Sequence, residues 1–232
     1  VIEPISEIAK IIKEKNKGRK MPMFFHTDAV QAINYLDCRV EKLGVNFLSL
    51  SAHKFYGPKG VGALYIKKGS AVRRIQDGGS HEFGMRAGTL NVPGIVGMGE
   101  AISKIKNKKP RSRTNSLRGR EKIKDIERLK DRLIDGILKK IPRTHLNGSR
   151  NQRVANNANI RFEGAEGEAI VMALDLEGVA CSTASACASG NLKPSHVLLA
   201  MGLGATRAHS SVRFTLGRQT SREEIDYVLK VL

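Results

Sequence analysis

The sequence predicts an α/β protein: a mostly parallel sheet covered by helices, followed by a smaller α/β domain. Two observations predict it. Short apolar runs of strand length alternate with stretches whose apolar residues recur at helical spacing. Hydrophobic residues make up 41% of the 232 residues, enough for a packed core, and no apolar run reaches the roughly 20 residues that cross a bilayer. Aromatic residues are 5% and Trp is absent, so that core is aliphatic.

Ile5, Ile8, Ile11 and Ile12 place an amphipathic helix over residues 4–17, with Pro4 near its first turn. Residues 23–27, 46–51 and 61–66 are short apolar runs and are predicted strands. The stretch 104–120 is basic, polar and broken by Pro110 and Gly119, which marks a linker or a frayed helix start. A long helix follows, with Ile126, Leu129, Leu133, Ile137 and Ile141 on one face. Beyond it the sequence predicts a strand over 158–162, a helix over 167–176, a strand over 179–182 and a small-residue loop over 183–191. Pro194 opens a short helix, residues 209–216 form a strand, and Ser221 with Glu224 is a capping box for a last helix. The domain boundary is placed at Lys106, giving domains 1–106 and 107–232. The chain starts at Val1 and stops within a helical pattern, and it reads as a piece of something longer.

Composition narrows the function classes. The three cysteines are too few, and odd in number, for a disulfide framework, and none forms a C-x-x-C pair for zinc. At least one free thiol suits a reducing compartment. The start of the chain shows no signal peptide, so the expected location is cytoplasmic, or the mitochondrial matrix in a eukaryote. The net charge of +18 fits nucleic-acid binding, Lys-rich genome usage or an acidic partner. No aromatics interleave the basic residues, so direct nucleic-acid binding is the weaker reading.

Five constellations can carry chemistry. In His26-Thr27-Asp28-Ala29-Val30-Gln31, a carboxylate closes a buried strand, where α/β sheets place ligands. Asp28 alone would be read as a helix N-cap; beside a pyridinium nitrogen it would keep the ring protonated. Lys54 follows an apolar strand and precedes a Gly/Pro-rich turn, and Ser51 and His53 flank it with phosphate-binding donors. A desolvated lysine there can form a Schiff base, although a single lysine at a strand exit is ordinarily just surface. The third constellation, residues 78–89, is a Gly-rich loop ending in Thr89. In the fourth, Cys187 sits among small residues that would leave its thiol exposed. Cys181, within an apolar stretch, and Cys38 fit structural roles better. The fifth is Arg213, whose guanidinium on a strand can clamp a carboxylate. Arg218 nearby is read as structural, and His209 as a core or loop residue.

These segments together (HTDAVQ, SAHKFYGPKGVGALY, GGSHEFGMRAGTLNVP, STASACASG and HSSVRFTLGR) resemble the cysteine desulfurase family of the class V aminotransferase group, in its order and spacing. Ser80 stands where the family has a further glycine. The resemblance implies fold type I of the pyridoxal-phosphate (PLP) enzymes, with PLP as cofactor. It implies that Lys54 holds PLP and removes the substrate proton, Asp28 faces the ring nitrogen, Gln31 the ring hydroxyl, and Ser51 and His53 the phosphate. Thr89 would reach the partner subunit's phosphate in a homodimer. Arg213 would hold the carboxylate of L-cysteine. Cys187 would carry the persulfide, and through it would be a transient iron–sulfur ligand. Alanine is the second product. The loop length after Cys187 matches the branch serving iron–sulfur assembly, so the implied sulfur acceptor is an iron–sulfur scaffold, with tRNA thiolation as a second sink. The family's upstream portion, with its ring-stacking histidine, precedes Val1. Competing readings are a selenocysteine lyase or another class V aminotransferase, and a non-catalytic basic RNA- or protein-binding module.

Overall fold

The helix expected over residues 4–17 forms as α1 (Ile5–Lys15), with Pro4 at its N-cap, Glu7 in its first turn and Lys13 and Lys15 in its last. The computed structural model describes residues 1–105, 118–183 and 193–232. They fall into two units, Glu3–Gly119 and Arg120–Leu232, the latter together with Val1–Ile2. The boundary expected at Lys106 lies outside the described residues, and the division itself comes after Gly119.

In the first unit, the carboxamide of Asn16 bonds both the N–H and the C=O of Met23 (2.8 and 2.9 Å) and closes the loop after α1. Strand β1 is His26–Asp28, later than the expected 23–27. The cause is Asn46. Its Oδ1 takes the Phe25 N–H, and the Phe25 C=O accepts from the N–H groups of both Asn46 and Phe47, so the regular ladder starts one residue on. A short helix α2 (Val40–Leu43), unforeseen in the sequence, ends at Gly44 in the left-handed conformation. Then come β2 (Phe47–Ser51), a 3₁₀ turn (Ala52–Phe55) and β3 (Gly62–Ile66). The sheet order is β1-β2-β3, with β1 parallel and β3 antiparallel to β2. A second 3₁₀ turn (Glu82–Gly84) precedes α3 (Val92–Ile105). Gly94, Gly97 and Gly99 dilute the periodicity of α3, which hides it in the sequence.

One face of this sheet is buried. Ala29, Val45 and Leu48 pack with Ile5, Phe25 and Leu43, under α1 and α2. Ala52 and Phe55, both fully buried, pack with Met98 and Ala101 of α3. Leu50 contacts both clusters and joins them. Each large side chain so buried contributes about 1.5–3 kcal/mol.

The second unit starts with α4 (Arg118–Lys140), whose Ile126, Leu133 and Ile137 are buried as its periodicity predicts. Strands β4 (Thr144–Leu146), β5 (Asn157–Phe162) and β6 (Ser211–Thr215) form an antiparallel sheet in that order. Strand β4, three residues long, was not legible in the sequence. Helix α5 (Gly167–Leu176) packs on β6. Its first residue has to be glycine, because a Cβ there would lie 2.5 Å from the His209 carbonyl oxygen.

The strand expected over 179–182 does not form. The Val179 N–H is spent on the Leu174 carbonyl, closing the end of α5, and only Ser182 bridges to Arg213. Helices α6 (His196–Ala200) and α7 (Ala205–His209) follow. His209 therefore belongs to a helix end, and the strand expected from 209 starts at Ser211. Helix α8 (Arg222–Val231) has the expected capping box: the Glu224 N–H donates to Ser221 Oγ, and the Ser221 N–H donates to Glu224 Oε2. The small-residue loop around Cys187 lies outside the described residues.

Candidate active site

The period of two along a strand places chemistry on the open face of the first sheet. Thr27 and Leu48 are buried on the packed face. Their neighbours His26, Asp28, Ser49 and Ser51 therefore point the other way, and the register pairs Asp28 with Ser49. A hydrogen bond of 2.7 Å between His26 Nε2 and Ser49 Oγ ties the two strands on this face. Asp28 ends β1 and Ser51 ends β2, so both lie at the carboxyl ends of a parallel pair, where open α/β sheets bind ligands. Asp28 is exposed, and its Oδ1 accepts the Val30 N–H at 2.9 Å in a local turn that also presents Gln31 to solvent. The alternative reading of Asp28 as a backbone cap is thus true of one carboxylate oxygen.

Lys54 lies two residues into the 3₁₀ turn after β2. Ala52 and Phe55, buried on either side of it, fix the turn to the core. The turn closes through Tyr56 in the left-handed conformation (φ 66°) and through the Gly57 N–H donating to Ala52 O at 2.9 Å. Gly57 is required: a Cβ would lie 2.9 Å from Ala52 Cβ and 3.0 Å from its carbonyl oxygen. With the backbone so held, the Lys54 and His53 side chains are exposed, and Ser51 Oγ hydrogen-bonds His53 Nδ1 at 2.8 Å. Asn34, which the sequence reading passed over, donates from Nδ2 to the Lys54 carbonyl at 2.8 Å. His26 and Ser49 were also passed over. Extending the alternation of Asp28 and Ser51 backwards along their strands would have found both.

Asp28 and Gln31 lie at and just after the end of β1, and Ser51, His53 and Lys54 at and just after the end of the adjoining β2, in the first unit. Thr89 is exposed in the segment between the second 3₁₀ turn and α3. In that segment Glu82 and Phe83 both take positive φ (49° and 57°), and Phe83 is 95% exposed. Arg213 belongs to the second unit: half-buried on β6, it pairs with Asn159 and exchanges backbone bonds with Ser182. Cys187 lies outside the described residues. The other two thiols are both half-buried; burial, with Asp175 beside Cys181 and Asp37 beside Cys38, pushes their pKa up and keeps them protonated. Among the described residues no group of three or more His, Cys, Asp or Glu side chains could hold a metal ion.

Asp28 at the end of β1 and Lys54 in the turn after β2, with the Ser51–His53 pair just before it in the chain, accompany a match to a known class of protein. The chain belongs to the aminotransferase class-V family, whose profile matches residues 1–228. Within that family it is similar to proteins named cysteine desulfurase IscS. The relative from Dictyoglomus turgidum is 49% identical over 234 residues, with 100% of this chain and 55% of the relative covered. The one from Methanosarcina thermophila is 46% identical over 231 residues, with 100% of this chain and 53% of the relative covered. Among solved structures, a NifS-like protein superimposes with a TM-score of 0.83 at 34% identity, over 99% of this chain and 55% of that one. A NifS-like protein from Rickettsia africae gives 0.79 at 27% identity, over 100% and 57%. The chain spans about half the length of the curated relatives it matches. Among the described residues, no helix is long and apolar enough to cross a membrane.

Proposed function

We propose that the protein is a cysteine desulfurase, which takes sulfur from L-cysteine, releases L-alanine and holds the sulfur as a persulfide on Cys187. The observation that supports this reading is that Asp28 ends β1 and Lys54 lies in the turn after the adjoining β2, preceded by the hydrogen-bonded pair Ser51 and His53. The donor set fits PLP group for group. Lys54 offers a primary amine to the aldehyde carbon, Asp28 a carboxylate to the ring nitrogen, and Ser51 and His53 donors to the phosphate. Gln31, exposed three residues after Asp28, would face the ring hydroxyl. When bound, PLP supplies an electron sink that weakens bonds at the substrate Cα.

The chain's own residues do the rest. Asp28 would keep a proton at the ring nitrogen. Lys54 would hold the cofactor through its amine and, when that amine is free, would take the proton from the substrate Cα. Arg213 binds the substrate carboxylate with two parallel hydrogen bonds. The Cys187 thiolate attacks the substrate sulfur: the new S–S bond forms as the Cβ–S bond breaks, and its electron pair stays with the alanine fragment, which is then protonated. The persulfide on Cys187 passes to an acceptor, an iron–sulfur scaffold or a tRNA-thiolation carrier, and is the point at which a nascent cluster would touch the chain. Thr89, in a segment with Phe83 fully in solvent, would complete the phosphate site of a second copy, which makes the active form a homodimer.

Alanine release from cysteine in the presence of a reductant, measured on the intact protein, tests this. Lys54→Ala is expected to abolish it. Cys187→Ser is expected to bind PLP yet make no persulfide. Turnover by Lys54→Ala at a rate near that of the wild type would end the proposal.

A further inference from the structure

We propose that Asn34 is a positioning residue for Lys54, holding the main chain of the reactive turn so that the amine meets the cofactor's aldehyde in one orientation. This rests on the reading of Lys54 as the PLP lysine.

Asn34 is 7% exposed, and its Nδ2 donates to the Lys54 carbonyl at 2.8 Å. The acceptor is a carbonyl, so the amide orientation is fixed: only the NH₂ end can face it. The Oδ1 end is buried and has no partner among the described residues. Burying an amide with one end unpaired is destabilising relative to an apolar side chain of the same size. Asn34 is flanked by Ile33, which packs with Phe55 and Ala52, so a leucine would suit the site better on packing alone. What an apolar residue cannot do is bond the carbonyl of residue 54.

That bond comes from a different element from the turn's other restraints. Ala52 and Phe55 hold the turn from the α3 side, and the Gly57 N–H closes it from within. Asn34 reaches it from the segment after β1, the one that begins with Asp28. It thereby couples the strand end that carries the carboxylate to the turn that carries the amine. The spacing of those two groups has to match the ring of one cofactor, and the Asn34 side chain bonds one segment to the other.

The test uses the intact protein with PLP as the probe. Wild type is compared with Asn34→Leu, which is isosteric and cannot donate, with Asn34→Asp, which loses the donor, and with Asn34→Ser, which keeps one. Four quantities are measured: the rate at which borohydride fixes PLP on Lys54, PLP affinity, the pH midpoint of the visible absorbance band, and melting temperature. Asn34→Leu and Asn34→Asp are expected to slow fixation about three- to tenfold, the effect of one lost hydrogen bond, and to shift the absorbance midpoint. Asn34→Ser is expected to recover most of both. Leu with unchanged fixation and midpoint overturns the inference. So does an equal loss in all three variants, which would mark a packing role. If Asn34→Leu fails to fold, the Asp and Ser pair still decides it. If wild type itself fixes no PLP on Lys54, the underlying reading falls, and this inference with it.

Discussion

The two sheets of this chain use the same strand lengths for opposite ends. In the second, β5 alternates half-buried and buried side chains along its length, and Ala158, Ile160 and Val212 are fully excluded from solvent. Several of its polar groups bond within it: Asn147 donates to Asn159 Oδ1 and to Ser211 Oγ, and Ser211 donates to the Arg207 carbonyl, while Arg161 Nε on β5 is buried without a partner among the described residues. In the first, only one face is covered, and β3 is exposed at four of its five positions. The open face carries His26, Asp28, Ser49 and Ser51. A sheet whose strands are mostly buried or half-buried along their length supplies rigidity. One left open at the carboxyl ends of a parallel pair supplies a place for a ligand.

Four measurements can break or sharpen this contrast. The largest effect is expected at Lys54: replacing it with alanine should lower alanine release by about 10²–10⁴-fold while leaving the melting temperature unchanged. A stability loss instead would make residue 54 part of the scaffold. Next come two core truncations. Phe55→Ala should cost about 3–5 kcal/mol and also disturb PLP fixation, because it sits beside Lys54. Ile160→Ala should cost about 2–5 kcal/mol in denaturant titrations with fixation per folded molecule unchanged. Equal effects on fixation would erase the distinction between the sheets.

The third contrast is among the thiols. Cys38 and Cys181 have raised pKa values, so alkylation near neutral pH should reach Cys187 first and label the other two mainly after unfolding. Peptide mass spectrometry after timed alkylation reads the order, and early labelling of Cys181 would contradict it. The smallest effect concerns acid. In the second unit Arg132 Nε bonds Asp226 at 2.5 Å and holds its carboxyl below its ordinary 3.8. A lowered folded-state value means stability present at neutral pH and lost as pH falls through that value. Asp226→Asn should therefore flatten the acid side of the stability curve slightly, both groups being exposed. An unchanged acid slope would show that the pair contributes nothing.

The fold class and most long elements were legible because α1, α4 and α8 carry regular apolar spacing, and α8 carries its capping box. Elements held by something other than periodicity were missed or misplaced. Strand β4 has too few residues to show a pattern, α3 is diluted by glycine, and β1 shifted because one asparagine side chain stands in for a strand partner. The strand expected over 179–182 was lost to the closure of α5, a hydrogen-bonding competition that composition does not show. In the candidate site, the places of Asp28 and Ser51 at strand ends and of Lys54 in the turn that follows were legible from the apolar runs before them. Asn34 was not, because a buried amide amid apolar neighbours announces itself only once its acceptor is known.

The clamp on residues 52–57 has a consequence for motion. With its peptide anchored on both sides, residue 54 can exchange one bonding partner for another only by swinging its own four-carbon stem. The amine's travel is then a matter of rotamer hops rather than of loop opening. Amide hydrogen exchange at Phe55 and Gly57 should accordingly stay equally slow whether the amine is engaged or free.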